Sequence, residues 1–98
     1  MKLNHNYFVY IVECSDGSYY TGVTNNVESR IEQHNAGANS KSYTYSRRPV
    51  VLRYCQHFFD VNQAINWEKQ VKGWSRKKKE ALFTENWERI KLLSGEEE

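Results

Sequence analysis

The stretch Tyr7–Gly37, YFVYIVECSDGSYYTGVTNNVESRIEQHNAG, decides the fold. Its first half holds two runs of aromatic and β-branched residues, 7–14 and 19–24, on either side of a short polar break. Such side chains suit a pleated, half-buried surface, and Asp16 and Gly17 tolerate the backbone angles of a tight reversal, so this half is a β-hairpin. Asn25 and Asn26 can then accept from the unpaired N–H groups of a helix start, and a helix runs from about Val27 until Gly37 stops it. The hairpin register is open at this level. A two-residue loop at Asp16-Gly17 pairs Tyr10 with Val23 and sends the Tyr10 and Tyr20 rings to opposite faces. A three-residue loop, Ser15 to Gly17 with Gly17 left-handed, pairs Tyr10 with Gly22 and puts both rings on one side. Gly22 would then leave room for a substrate beside the Tyr10 hydroxyl.

Downstream, residues 38–49 (ANSKSYTYSRRP) are polar, hold the only proline and lack a helical period, which predicts a mobile basic-aromatic loop of the kind that touches ligands. Val50 to Phe59 reads as a third strand. Asp60 with Gln63 resembles a capping box opening a second helix that ends near Gly73, and Ser75 can cap a third through about Phe83. Thr84 or Asn86 could start a last short helix carrying Trp87, Ile90 and Leu93. The order β-β-α-β-α-α predicts an α+β fold: a small three-stranded, at least partly antiparallel sheet flanked by helices. All 98 residues are expected in one domain, its core about 7–93, with the acidic 95–98 tail disordered.

Composition bounds the function. A hydrophobic fraction of 39% with 27% charged residues argues for a globular chain with a thin core. No run approaches the ~18 apolar residues of a membrane span, and no signal-peptide pattern opens the chain, so the cytoplasm is the expected compartment. Cys14 and Cys55 are too few for a disulfide framework and belong to no closely spaced metal-binding pair; both are expected to be reduced core thiols. The net charge is +2, but three of the twelve acids are Glu96, Glu97 and Glu98, and leaving them aside gives +5. Lys69, Lys72, Arg76, Lys77, Lys78 and Lys79 form one basic group, and Arg47, Arg48 and Arg53 a second. Such clustering suits a polyanion, although a solvated helix face would look the same.

Glu68 is the residue most at odds with its surroundings. At 100° per residue Val61, Ala64, Ile65 and Val71 form one apolar stripe, and Glu68 lies in its middle. A carboxylate facing a core costs several kcal/mol unless something meets its charge, so it implies a partner: an arginine in a structural ion pair, or a divalent metal in a pocket. On the first helix Arg30 and His34 lie one turn apart along the side defined by Val27 and Ile31. A buried acid, a fork-shaped cation and an imidazole are together the parts needed to hold a phosphate and move a proton. Of the four hairpin tyrosines, Tyr7 and Tyr19 are expected to be ordinary half-buried strand residues.

Phe8-Val9-Tyr10, Tyr20-Thr21-Gly22, Arg30, His34 and Glu68, in this order on these elements, resemble the GIY-YIG nuclease domain. The resemblance covers Tyr7 to about Lys79 and is nearest in style to the small stand-alone bacterial members. It implies metal-assisted hydrolysis of nucleic-acid phosphodiester bonds, the substrate being DNA, with repair or recombination as the setting. In that scheme Tyr10 activates water, its hydroxyl needing a nearby cation and His34 accepting the proton. Arg30 holds the phosphate, Tyr20 lines the site, and Glu68 binds one Mg²⁺ or Mn²⁺. Some members have an asparagine about twelve residues after the glutamate, where this chain has Glu80. Lys41, Arg47 and Arg48 of the loop, with Lys69, Lys72, Arg76, Lys77, Lys78 and Lys79, are expected to contact phosphates. Two other readings stand beside this one: a nucleic-acid-binding module with little or no turnover, and a scaffold for a protein partner.

Overall fold

The computed structural model describes residues 6–84. It has strands β1 (Tyr7–Glu13), β2 (Tyr19–Thr24) and β3 (Val51–Phe58), and helices α1 (Val27–Ala36), α2 (Val61–Lys72) and α3 (Arg76–Phe83), in the order β-β-α-β-α-α. The fold is α+β, as the sequence predicts. The acidic tail and the last helix proposed around Trp87, Ile90 and Leu93 lie outside the described residues.

The strands lie in the order β2-β1-β3, with both pairings antiparallel. Central β1 is covered on both faces, which is why Val9, Tyr10, Ile11 and Val12 are all buried. Ile11 and Tyr54 pack with Val71, Ala81 and Leu82 of α2 and α3, while Tyr10, Val12, Cys14 and Val50 pack on the other face with Ile31 of α1. Among the described residues no helix is long and apolar enough to cross a membrane.

The register is that of the three-residue loop. Tyr10 stands opposite Gly22, and Gly17 takes φ +85°. The Cys14 N–H donates to Ser18 O at 2.8 Å and the Gly17 N–H to Cys14 O at 2.9 Å, closing the turn. Helix ends follow local chemistry. The side chains of Asn26, Asp60 and Ser75 accept from the N–H groups of Ser29, Asn62 and Lys78, and Gly37 ends α1 in the left-handed region at φ +70°.

Four expectations need correction. Cys14 is buried but Cys55 is exposed, because the α1 face of β3 is left uncovered where Cys55 borders a groove with Phe8, Leu52 and Ile31. Val61, assigned to the apolar stripe of α2, is the first residue of that helix and 37% exposed, and of the stripe only Ala64 and Val71 are fully buried. At Asp60 the bond goes to Asn62 rather than to Gln63, a simple N-cap in place of a capping box. The 38–49 segment is not without structure: Tyr45–Arg47 forms a 3-10 turn, Ser15 N–H donates to Arg47 O, and Arg47 and Arg48 donate back to Tyr43 O and Tyr45 O.

Candidate active site

Tyr10 leaves the central strand beneath the gap at Gly22. A Cβ at that glycine would stand 2.6 Å from the Tyr10 hydroxyl oxygen, so only glycine lets the ring pass to α1. There the hydroxyl meets His34 Nε2 at 2.9 Å. The Tyr20 ring flanks both, its centroid 6.3 Å from that of Tyr10 and 5.4 Å from that of His34. Tyr20 and His34 line a cleft of about 200 Å³ together with Arg30, Gln33, Ser42 and Thr44.

Burial pushes the Tyr10 hydroxyl up to about 12, the neighbouring Tyr20 adds to this, and the Arg30 guanidinium pulls the other way through its hydrogen bond and its charge. The sequence reading required a cation beside Tyr10. Arg30 is that cation, but desolvation outweighs it, so at neutral pH the phenol keeps its proton. Burial, with the Arg30 charge second, holds His34 below its ordinary value, so the imidazole is neutral and able to accept.

Glu68 stands on α2, the helix that packs against β1 and β2. Its side chain is 12% exposed and its Oε2 lies 2.9 Å from Lys72 Nζ, whose side chain is 57% exposed. The partner implied by the apolar stripe is thus a surface lysine one turn on, rather than an internal arginine. The ion pair raises Lys72 above its usual range, chiefly through its hydrogen bond to Glu68. The Glu68 charge is also felt at the Tyr10 hydroxyl, a weaker influence than burial or Arg30. Among the described residues no three His, Cys, Asp or Glu side chains gather into a metal cage.

Glu80 lies off this cluster: it accepts from the Tyr19 hydroxyl at 2.8 Å and pairs with Arg76 at 3.2 Å. The basic residues divide. Arg76 is further engaged with the Tyr19 ring and Gly17 O, Arg53 pairs with Glu13 at 3.0 Å, and Arg47 with Asp16 at 3.1 Å. Lys78 lies over the Trp74 ring, Arg47 over Tyr43 and Arg48 over Tyr45. Lys41, Lys69 and Lys77 are exposed. Lys79 is half-buried and held below its usual value by burial and by the Lys72 charge. With Lys72, Tyr19, Tyr20, Thr21 and Tyr43 it borders a second cleft of about 300 Å³ beside the first.

Sequence reasoning missed Thr44, which touches the far side of His34 with its Oγ1 2.7 Å from Nδ1, and Tyr43, stacked on Tyr20 at 6.0 Å. No sequence signal marks either one: Thr44 is one hydroxyl among Ser40, Ser42, Thr44 and Ser46 in a stretch without period.

A family model described as the GIY-YIG catalytic domain matches residues 6–81. The chain is 49% identical to the UPF0213 protein VNG_2274C of Halobacterium salinarum over 75 residues, which cover 76% of this chain and 96% of that one. It is 48% identical over 79 residues to the UPF0213 protein SH2523 of Staphylococcus haemolyticus, covering 81% and 95%. Among solved structures, the solution structure of the UPF0213 protein BH0048 from Bacillus halodurans aligns with a TM-score of 0.52 at 44% identity, covering 81% of this chain and 83% of that chain. The solution structure of EF2693 from E. faecalis aligns with a TM-score of 0.59 at 30% identity, covering 91% and 93%.

Proposed function

The chain belongs to the GIY-YIG family, a family of catalytic domains, and from that premise we propose that it is a metal-dependent endonuclease that hydrolyses phosphodiester bonds of DNA. The observation that carries the reading is the Tyr10 hydroxyl standing 2.9 Å from Nε2 of His34, an imidazole that burial holds below its ordinary value, beside the Arg30 guanidinium.

In this scheme the scissile phosphate enters the cleft between Tyr20, Arg30 and His34. Arg30 offers two N–H donors and a fixed positive charge to the phosphate oxygens as negative charge grows on them. Tyr10 is buried and does not itself line the cleft, so a water must enter past Tyr20 to stand beside its hydroxyl, and from there it attacks phosphorus. As the new O–P bond forms and the bond to the leaving oxygen breaks, the Tyr10 oxygen takes the water proton while its own proton passes to His34 Nε2. The high proton affinity of the phenol, unhelpful for a free phenolate, suits this concerted handover, in which Tyr10 never carries a full charge. Tyr20 lines the cleft, where its hydroxyl would hydrogen-bond the phosphate or the water.

Glu68 is the residue that would hold Mg²⁺ or Mn²⁺. A single carboxylate that already draws an ammonium to itself fits a hard cation that keeps most of its waters and takes further oxygens from the substrate. When bound, the ion supplies positive charge to the phosphate and the leaving oxygen. Lys72 would have to swing away, which its exposure allows.

The test is cleavage of branched, nicked and single-stranded substrates with Mg²⁺ or Mn²⁺, beside Glu68→Ala and Arg30→Ala. Losses of about 10²-fold or more in both variants are expected. Cleavage unchanged in Glu68→Ala removes the enzyme reading and leaves a nucleic-acid-binding module.

A further inference from the structure

The donors and acceptors around His34 can be assigned one by one. The Tyr10 hydroxyl has one proton to give, and its neighbour Arg30 has only donors. Among the described residues the acceptor bonded to the hydroxyl is His34 Nε2, at 2.9 Å. If Nε2 carried the hydrogen instead, the phenol oxygen would face donors on both sides and its own proton would have no acceptor there. Nε2 is therefore bare and Nδ1 carries the hydrogen. That N–H donates to Thr44 Oγ1 at 2.7 Å, and the Thr44 hydroxyl passes its own hydrogen to Ser42 Oγ at 3.0 Å, which also accepts from the Thr44 N–H at 3.3 Å. Every donor points the same way, from Arg30 through Tyr10, His34 and Thr44 to Ser42.

Thr44 is built for this place. It is 1% exposed, a buried polar residue in a mostly exposed loop. Its segment is held from three sides: Ser15 N–H donates to Arg47 O, Arg47 N–H to Thr44 O, and Asn35 bonds Val50 through both its amide oxygen and its amide nitrogen. The loop thus brings a hydroxyl to the back of the imidazole and keeps it there.

We propose that Thr44 is a positioning residue for the proton transfer: by accepting from Nδ1–H it locks His34 in the tautomer and ring orientation that present the Nε2 lone pair to the Tyr10 hydroxyl. The inference rests on the nuclease reading for its catalytic consequence but not for its structural content. Thr44 plays the part a carboxylate takes behind the histidine of a hydrolytic triad, without the negative charge. A neutral hydroxyl fixes the tautomer while leaving the imidazole a mild base. It accepts equally well once His34 is protonated, since Nδ1 is a donor in both states.

The experiment compares wild type, Thr44→Val and Thr44→Ser, each checked for native structure by amide NMR spectra. Long-range ¹H–¹⁵N correlation of the His34 ring at pH 8 is expected to show Nδ1–H in wild type and Thr44→Ser. In Thr44→Val, which keeps the shape but loses the acceptor, it should show a mixture of tautomers or Nε2–H. Where cleavage is measurable, kcat is expected to fall on the order of 10- to 100-fold in Thr44→Val with little change in KM, and to recover in Thr44→Ser. A wild-type ring carrying its hydrogen on Nε2 overturns the assignment, as does a Thr44→Val ring that keeps a pure Nδ1–H tautomer. A folded Thr44→Val with wild-type kcat overturns the catalytic half. If no substrate is cut but the tautomer changes as described, Thr44 keeps its positioning role and the nuclease reading is what fails.

Discussion

Replacing Gly22 by alanine places a methyl carbon 2.6 Å from the Tyr10 hydroxyl oxygen, 2.7 Å from Cζ and 2.9 Å from Cε1. Ordinary contacts begin near 3.4 Å, so the ring tip must retreat by about 0.8 Å. The ring is 0% exposed, so it cannot swing into solvent. Nothing soft takes up the strain: the ring's far end is a hydrogen bond, and its sides are packed by Val12 and Tyr20. Overpacking of this kind costs about 1–3 kcal/mol. For a chain of this size each kcal/mol lowers Tm by about 4–8 °C, so a fall of roughly 5–20 °C is expected by thermal melting. The same retreat pulls the hydroxyl off Nε2, and a misplacement near 1 Å costs on the order of 10²-fold in rate, so cleavage should fall further than stability alone explains. Tyr10→Phe removes the nearest clashing atom, so Gly22→Ala should cost less in that background, with a coupling of at least about 0.5 kcal/mol in the double-mutant cycle. A Gly22→Ala protein with wild-type Tm and rate, or a penalty identical in both backgrounds, would refute the close approach of Gly22 and Tyr10 on which the site is built.

Lys72→Met removes the ammonium from Glu68 and is expected to tighten Mn²⁺ binding, read by paramagnetic broadening of signals near Glu68; unchanged broadening would mean that Lys72 does not compete for that carboxylate. His34 is held below its ordinary value, so the unfolded chain takes up this proton first as pH falls. Stability is thus full above about pH 6.5 and declines as pH drops toward the lower folded-state value, and urea melts at pH 7.5 and 5.5 should show a smaller acid loss in His34→Asn than in wild type. Neutralising Lys77, Lys78 and Lys79 together is expected to weaken DNA binding and to flatten the slope of log K against log salt by about 0.7–0.9 for each phosphate that no longer meets a cation, as read by fluorescence anisotropy. Binding that ignores salt would exclude a phosphate-backbone interface.

What the chain determines by itself is whatever local energies decide. Branched and aromatic runs make β1 and β2, asparagine, aspartate and serine oxygens satisfy the first N–H groups of α1, α2 and α3, and Gly37 takes the left-handed turn that ends α1. Each of these costs or gains energy within a few residues, so it can be read from spacing. Glu68 was legible as an anomaly for the same reason, since helical period alone sets it in an apolar stripe. What met it was not, because an exposed lysine one turn away looks no different in sequence from Lys69.

Tertiary structure decided the rest. A one-residue difference in the hairpin loop settled whether Tyr10 faces Gly22 or Val23, and with it whether the Tyr10 and Tyr20 rings share one face of the sheet. Burial turned the expected lowering of the Tyr10 proton affinity into a rise, because desolvation depends on how many other segments close over the ring. Thr44 and His34 are ten residues apart, and Tyr10 and His34 twenty-four, and no local preference couples such pairs. They meet only because the sheet, α1 and the anchored loop pack together, and packing energy is a property of the assembled surfaces rather than of any segment taken alone.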